Sequence, residues 1–158
     1  MSVYEQTIEV KAPVDVVYNQ WTQFEEFPRF MEGVERVEQL DDTRLRWVAK
    51  IGGQRREWEA KIPEQEPDRV ISWASTASEI ENAGTVYFES IDADRTRVTL
   101  RMEVNPTDFV EKAGDALGMI EKRIRGDLER FKEFIESRGT ETGAWRGTVE
   151  AGRRARSS

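Results

Sequence analysis

The stretch RLRWVAKIGGQRREWEAKI, residues 44–62, decides the fold. Leu45, Trp47, Ala49 and Ile51 alternate with Arg44, Arg46, Val48 and Lys50. Trp58, Ala60 and Ile62 then alternate with Glu57, Glu59 and Lys61. A period of two places each set on its own face of a strand. Gly52-Gly53 between the two runs is a two-residue hairpin signal. The segment therefore reads as an antiparallel pair with one charged face and one apolar face, and the apolar face needs a cover.

The same period extends in both directions. Val34–Leu40 reads as a strand that turns at Asp41-Asp42. Beyond a turn at Pro67-Asp68, VISWAST at 70–76 is a strand of ambiguous facing. Val86–Ile91 follows, then a turn at Asp92–Asp94, then Val98, Leu100, Met102 and Val104 in alternation. Six consecutive strands joined by short turns predict an antiparallel meander. SVYEQTIEV at 2–10 supplies a seventh strand ahead of them. Between the first strand and the meander, Pro13 opens a helix with Val14, Val17, Tyr18 and Trp21 on one face. Phe24, Phe27, Pro28, Phe30 and Met31 form a second short helical piece that ends at Gly33.

After Asn105-Pro106-Thr107, residues 108–138 read as one long helix. Ala113, Leu117, Ile120, Ile124, Leu128, Phe131 and Ile135 make a single apolar stripe along it, and Gly139 is placed to stop it. This stripe is the cover the sheet requires. The expected architecture is α+β: a curved seven-stranded antiparallel sheet wrapped around a long C-terminal helix, with two short helices after strand 1. Residues 1–139 make the domain. Residues 140–158 lack periodicity, carry Arg146, Arg153, Arg154 and Arg156, and are predicted to form a flexible tail.

Composition removes whole classes of chemistry. There is no Cys and no His among the 158 residues, which excludes disulfides, thiolate or imidazole metal sites, cysteine nucleophiles and a Ser-His-Asp triad. No uncharged run exceeds nine residues, against the about 20 apolar residues of a spanning helix. The net charge of −7 opposes a general nucleic-acid surface. The start, MSVYEQTIEV, lacks the pattern of a signal peptide, so a cytoplasmic protein is expected. Glu25-Glu26 and Asp41-Asp42 lack the spacing of a cation loop, and no phosphate-cradling glycine motif occurs. Neither a metal nor a cofactor is expected.

APVDVVYNQWTQFEEFPRFMEGVERV at 12–37, PDRVISW at 67–73, DRTRVTL at 94–100 and DLERFKEFIESRG at 127–139 together resemble the START-related helix-grip superfamily. The resemblance is to its polyketide cyclase/dehydrase and coenzyme-Q-binding START-like branch, and it spans about residues 3–138. It implies a helix-grip fold enclosing a cavity for a hydrophobic small molecule, whether a lipid, a quinone or an aromatic polyketide-like compound. It also implies that some members act as cyclases or dehydrases. A pocket arginine of the cyclases corresponds here to Lys61, which alternates with the inward residues and is expected to face outward.

From residue types alone, the inward alternates describe either a closed core or a ligand pocket. The candidate ligand-binding residues are Trp47, Trp58, Trp73, Phe88, Leu100 and Met102 on the sheet, with Leu117, Ile120 and Ile124 on the helix. Phe27, Phe30, Met31 and the Gly52-Gly53 turn are candidates for the pocket mouth. Asp127 is the one acidic residue within the apolar arc of the helix, so it is the candidate acid/base or hydrogen-bond acceptor. The bland alternative for it is an edge residue paired with an arginine. Gly114 and Gly118 form a small-xxx-small pair able to admit a second copy of the chain, so a homodimer is one expectation. The function expected is binding of a hydrophobic molecule. The alternatives are a polyketide cyclase/dehydrase-type enzyme and a ligand-free interaction domain.

Overall fold

Strand β1 (Ser2–Val10) and the last long strand pair along their full length, from Ser2↔Val104 to Val10↔Thr96. The structure is a computed structural model. It describes residues 2–51, 53–76, 81–105 and 116–154, the side chains at 51, 116 and 117 excepted. The chain leaves β1 through helix α1 (Val14–Trp21), capped by the backbone of Pro13. A 3-10 helix, Phe24–Arg29, follows with Pro28 inside it. Pro28 lacks an N–H and cannot extend an α-helix, so the tighter coil takes its place.

Strands β2 (Val34–Asp41), β3 (Arg44–Ile51), β4 (Gln54–Lys61), β6 (Val70–Ser75), β7 (Asn82–Asp92) and β8 (Arg95–Val104) make the meander. A two-residue strand, β5 (Gln65–Glu66), folds onto β6 ahead of it. The seven long strands run in the order β1-β8-β7-β6-β4-β3-β2, all antiparallel. Strands β1 and β2, consecutive along the chain, thus lie at opposite edges. Helix α1 and the 3-10 helix are the crossing between them.

Helix α2 (Ala116–Arg138) covers the apolar face. Ile120, Ile124, Leu128, Phe131 and Ile135 of the expected stripe are all buried. Its end is the expected one: Gly139 has a φ of +78° and donates its N–H to the Ile135 carbonyl at 2.9 Å. A left-handed residue at this position accepts glycine without strain. The stretch 108–115 of the expected helix, with Ala113 and Gly114, lies outside the described residues.

The seven long strands and the covering helix are the expected ones, and among the described residues three two-residue strands extend the sheet. The segment after Gly139, expected to be a flexible tail, is instead docked along residues 140–154. The Thr142 N–H donates to Gln20 Oε1 at 2.9 Å, and Gln20 Nε2 donates to Thr142 Oγ1 at 3.0 Å. The Trp145 N–H donates to Thr22 Oγ1, and Arg146 donates to both Asn19 and Asp68. Val149 is fully buried and pairs with Gln65, so β9 (Val149–Glu150) extends the β5 edge, and β10 (Arg153–Arg154) folds back on it. These ties are polar and side-chain specific, so they leave no apolar period in the sequence.

Candidate functional site

Three tryptophans build one wall. Trp47 on β3 and Trp58 on β4 sit directly across the ladder from each other. Their indole planes are 2° apart and their centroids 5.9 Å apart. Trp73 on β6 joins them, 5.8 Å from Trp47 and tilted by 33°. It has room because its ladder partner is Gly84. A Cβ at position 84 would fall 2.4 Å from the Trp73 ring, which no side chain tolerates, so the indole lies across bare backbone. Leu100, Met102 and Val104 on β8 extend the wall, and Ile120 and Ile124 of α2 face it.

These residues enclose a cavity of about 120 Å³. Its lining is largely apolar, with Asn82 and Asp127 as polar members of the wall and Glu32, Lys50 and Arg123 beside them. The indole N–H groups of Trp47 and Trp58 and the Nδ2 amide of Asn82 are buried, and none meets a hydrogen-bond acceptor. Trp21 also has an unpartnered indole N–H, but it is packed among Phe27, Phe30 and Phe131 in the core. Each of these lining residues thus carries an unpaired buried donor, at a cost of about 1–3 kcal/mol.

Asp127 lies one turn beyond Arg123 on α2. Its Oδ1 accepts the Glu32 N–H at 3.0 Å and a hydrogen bond from Arg130. Arg130 also donates to the Phe30 carbonyl at 2.9 Å. The pair thus clips α2 to the loop that follows the 3-10 helix. Burial nonetheless pushes the Asp127 carboxyl up to about 6, against the lowering by the Glu32 N–H and Arg130. Among the described residues, Oδ2 carries no hydrogen bond. Also among them, no group of three acidic side chains could hold a metal ion, and no helix is long and apolar enough to cross a membrane.

The family model for polyketide cyclase/dehydrase and lipid transport matches residues 10–133. The chain belongs to this family. Its START-like helix-grip fold has close counterparts. An uncharacterized 17.2 kDa protein of Streptomyces lincolnensis, from the melC2-rnhH intergenic region, is 52% identical over 149 residues, covering 94% of this chain and 99% of its own. A crystal structure of a Deinococcus radiodurans protein has 28% identity and a TM-score of 0.70, covering 88% of this chain and 99% of its own. An aromatase/cyclase of Streptomyces sp. R1128 shares the fold at a TM-score of 0.70 and 19% identity, covering 91% of this chain and 99% of its own.

Within this polyketide cyclase/dehydrase and lipid transport domain, the expected residues sort clearly. Trp47, Trp58, Trp73, Leu100, Met102, Ile120, Ile124, Met31 and Asp127 line the cavity. Phe88 does not: it packs edge-on against Tyr18 at 5.2 Å, beyond the wall. Phe27 and Phe30 are not mouth residues either. Both are buried in an aromatic cluster with Trp21, because the 3-10 helix turns them into the core. Gly53 is exposed at the hairpin tip, away from the cavity wall. Gly52 and the Leu117 side chain lie outside the described residues. Lys61, expected to face outward, is exposed.

Asn82 was missed because a polar loop was read through 78–82. The signal was present: the inward alternation Val86, Gly84 runs back to Asn82, the first residue of β7. Arg123, Lys50 and Met119 were missed for another reason, since nothing in a helical or strand period marks a surface residue as lying beside an opening.

Proposed function

We propose that this protein binds a ring-bearing apolar molecule with acceptor oxygens, closer to a quinone or an aromatic polyketide than to a simple lipid. One observation carries the reading. Two parallel tryptophans and an asparagine belong to the cavity lining, and each carries a buried N–H donor that no protein group satisfies. Flat indole faces suit an aromatic ring, and carbonyl or phenol oxygens would meet the donors. Family membership supports the same direction. A cavity of about 120 Å³ is similar to the about 150 Å³ that admits benzene. One ring therefore fits as the side chains stand, and a longer molecule would continue toward the groove at Glu32, Met119 and Arg123.

The experiment is native mass spectrometry of freshly purified protein with organic extraction, followed by a thermal-shift panel of quinones, aromatic polyketides and lipids. A co-purifying or stabilising aromatic carbonyl compound is the expected result. A bare protein with no shift across the panel would overturn the reading in favour of a ligand-free interaction domain. A second reading is a cyclase/dehydrase-type enzyme. It rests on Asp127, a wall carboxyl held near 6 and so able to exchange a proton near neutral pH. If that holds, Asp127→Asn abolishes turnover of a bound polyketide while leaving its affinity nearly unchanged.

A further inference from the structure

The surface cations of this acidic chain are mostly spoken for. Arg44, Arg69 and Arg95 pair with carboxylates three residues before them, and Arg46, Arg97 and Arg146 pair across strands or loops. Eight cations break the pattern. Among the described residues, Lys11, Arg56, Lys61 and Arg153 make no side-chain hydrogen bond or ion pair and lie elsewhere on the chain; the other four are Lys50, Lys122, Arg123 and Arg125.

These last four are neighbours. Lys50 and Arg123 line the cavity, and Lys122, Arg123 and Arg125 line an adjoining groove that shares Glu32, Met119 and Arg123 with it. The Arg123 guanidinium lies alongside Gly33, where even a Cβ would approach it to 3.7 Å. Met119 stands in the same groove and is 55% exposed, the most exposed large apolar side chain described. The groove holds four cations, with Arg130 committed to Asp127, against the carboxylates of Glu32 and Glu129. Such a small positive excess, on a chain of net charge −7, stands where the apolar cavity opens. It matches one singly charged anion better than a doubly charged one.

We propose that this rim takes the carboxylate of an amphipathic ligand whose apolar ring fills the tryptophan cavity. Arg123 is the principal contact, because it alone of the four lines both spaces and is not fully exposed. Its planar fork suits a carboxylate, and an apolar surround strengthens the attraction over that in bulk water. The inference rests on the ligand-binding reading above and adds to it the charge of the ligand.

The test compares 2-naphthoate with 2-acetonaphthone, which has the same ring and nearly the same shape but no charge. Binding is read by quenching of tryptophan fluorescence and by calorimetry. The wild type is expected to bind the carboxylate about tenfold tighter at low salt, with the preference shrinking at high salt. Arg123→Gln should remove that preference and leave 2-acetonaphthone unchanged, while Lys122→Gln with Arg125→Gln reduces it only a few-fold. Equal affinity for both probes in the wild type, or equal weakening of both by Arg123→Gln, overturns the anion reading alone. Failure of both probes to bind overturns the ligand-binding reading itself, and this inference with it.

Discussion

Trp47 and Trp58 are cross-strand partners whose rings lie parallel, and neither indole N–H has an acceptor. Replacing either by Phe keeps an aromatic wall and deletes an unsatisfied donor. The relieved penalty, about 1–3 kcal/mol, opposes the lost apolar contact. Trp47→Phe and Trp58→Phe should therefore change urea-unfolding stability by no more than about 1 kcal/mol. Affinity for a carbonyl-bearing ring should nonetheless fall by about 3- to 10-fold, the weight of one hydrogen bond. A large stability loss with unchanged affinity would mean that the indoles serve packing only.

Ile120→Trp fills the cavity from the helix side. Because the space already exists, the variant should fold with a near-UV circular dichroism spectrum of native intensity and bind no ligand. Loss of folding would indicate overpacking of a closed core, which costs about 1–3 kcal/mol or more.

Much of this was legible in the sequence. The alternation at 44–62 specified both the strands and the face of Trp47 and Trp58, since a one-residue slip would have sent them to solvent. The stripe on α2 was equally plain, because one face of a long helix repeats every three or four residues. Phe27, Phe30 and Phe88 were misplaced for a common reason. Periodicity says that a residue faces inward, not whether it meets a void or another side chain, and that depends on how α1 crosses the sheet. The tail was misread because its anchors, Gln20–Thr142 and Arg146–Asp68, are polar pairs separated by long stretches of chain.

Asp127 carries a pH prediction. Its carboxyl rises from 3.8 to about 6 on folding. Between these values the folded state holds a proton that the unfolded chain has released. The stabilisation is therefore complete below the unfolded value and lost as pH rises through about 6. Asp127→Asn cannot titrate, and it retains an acceptor for the Glu32 N–H. The stability of the wild type relative to this variant should grow by about 2–3 kcal/mol on acidification from neutral pH to below 4. Denaturant melts of both proteins across that range check it, and a flat difference would contradict the burial argument.

Gly84→Val should displace Trp73. The side chain would enter the space of an indole that already lies against the backbone. A destabilisation of about 1–3 kcal/mol is expected, together with a shifted tryptophan emission maximum and weakened ligand binding.

Truncation after Gly139 should destabilise the domain by about 2–4 kcal/mol, from the lost burial of Val149 and the lost partners of Gln20 and Thr22. A melting temperature unchanged by the truncation would show the segment to be dispensable.

The order of elements along the chain has a consequence for biosynthesis. Every strand that carries the tryptophan wall is made before α2, and α2 before the segment that satisfies Gln20. At about 5–20 residues per second, a ribosome needs several seconds to pass from the end of β8 to Arg154. Throughout that interval the nascent sheet has its most hydrophobic surface uncovered. A message broken in the α2 coding region would yield a polypeptide lacking the element that shields it, a natural substrate for chaperones and for co-translational quality control.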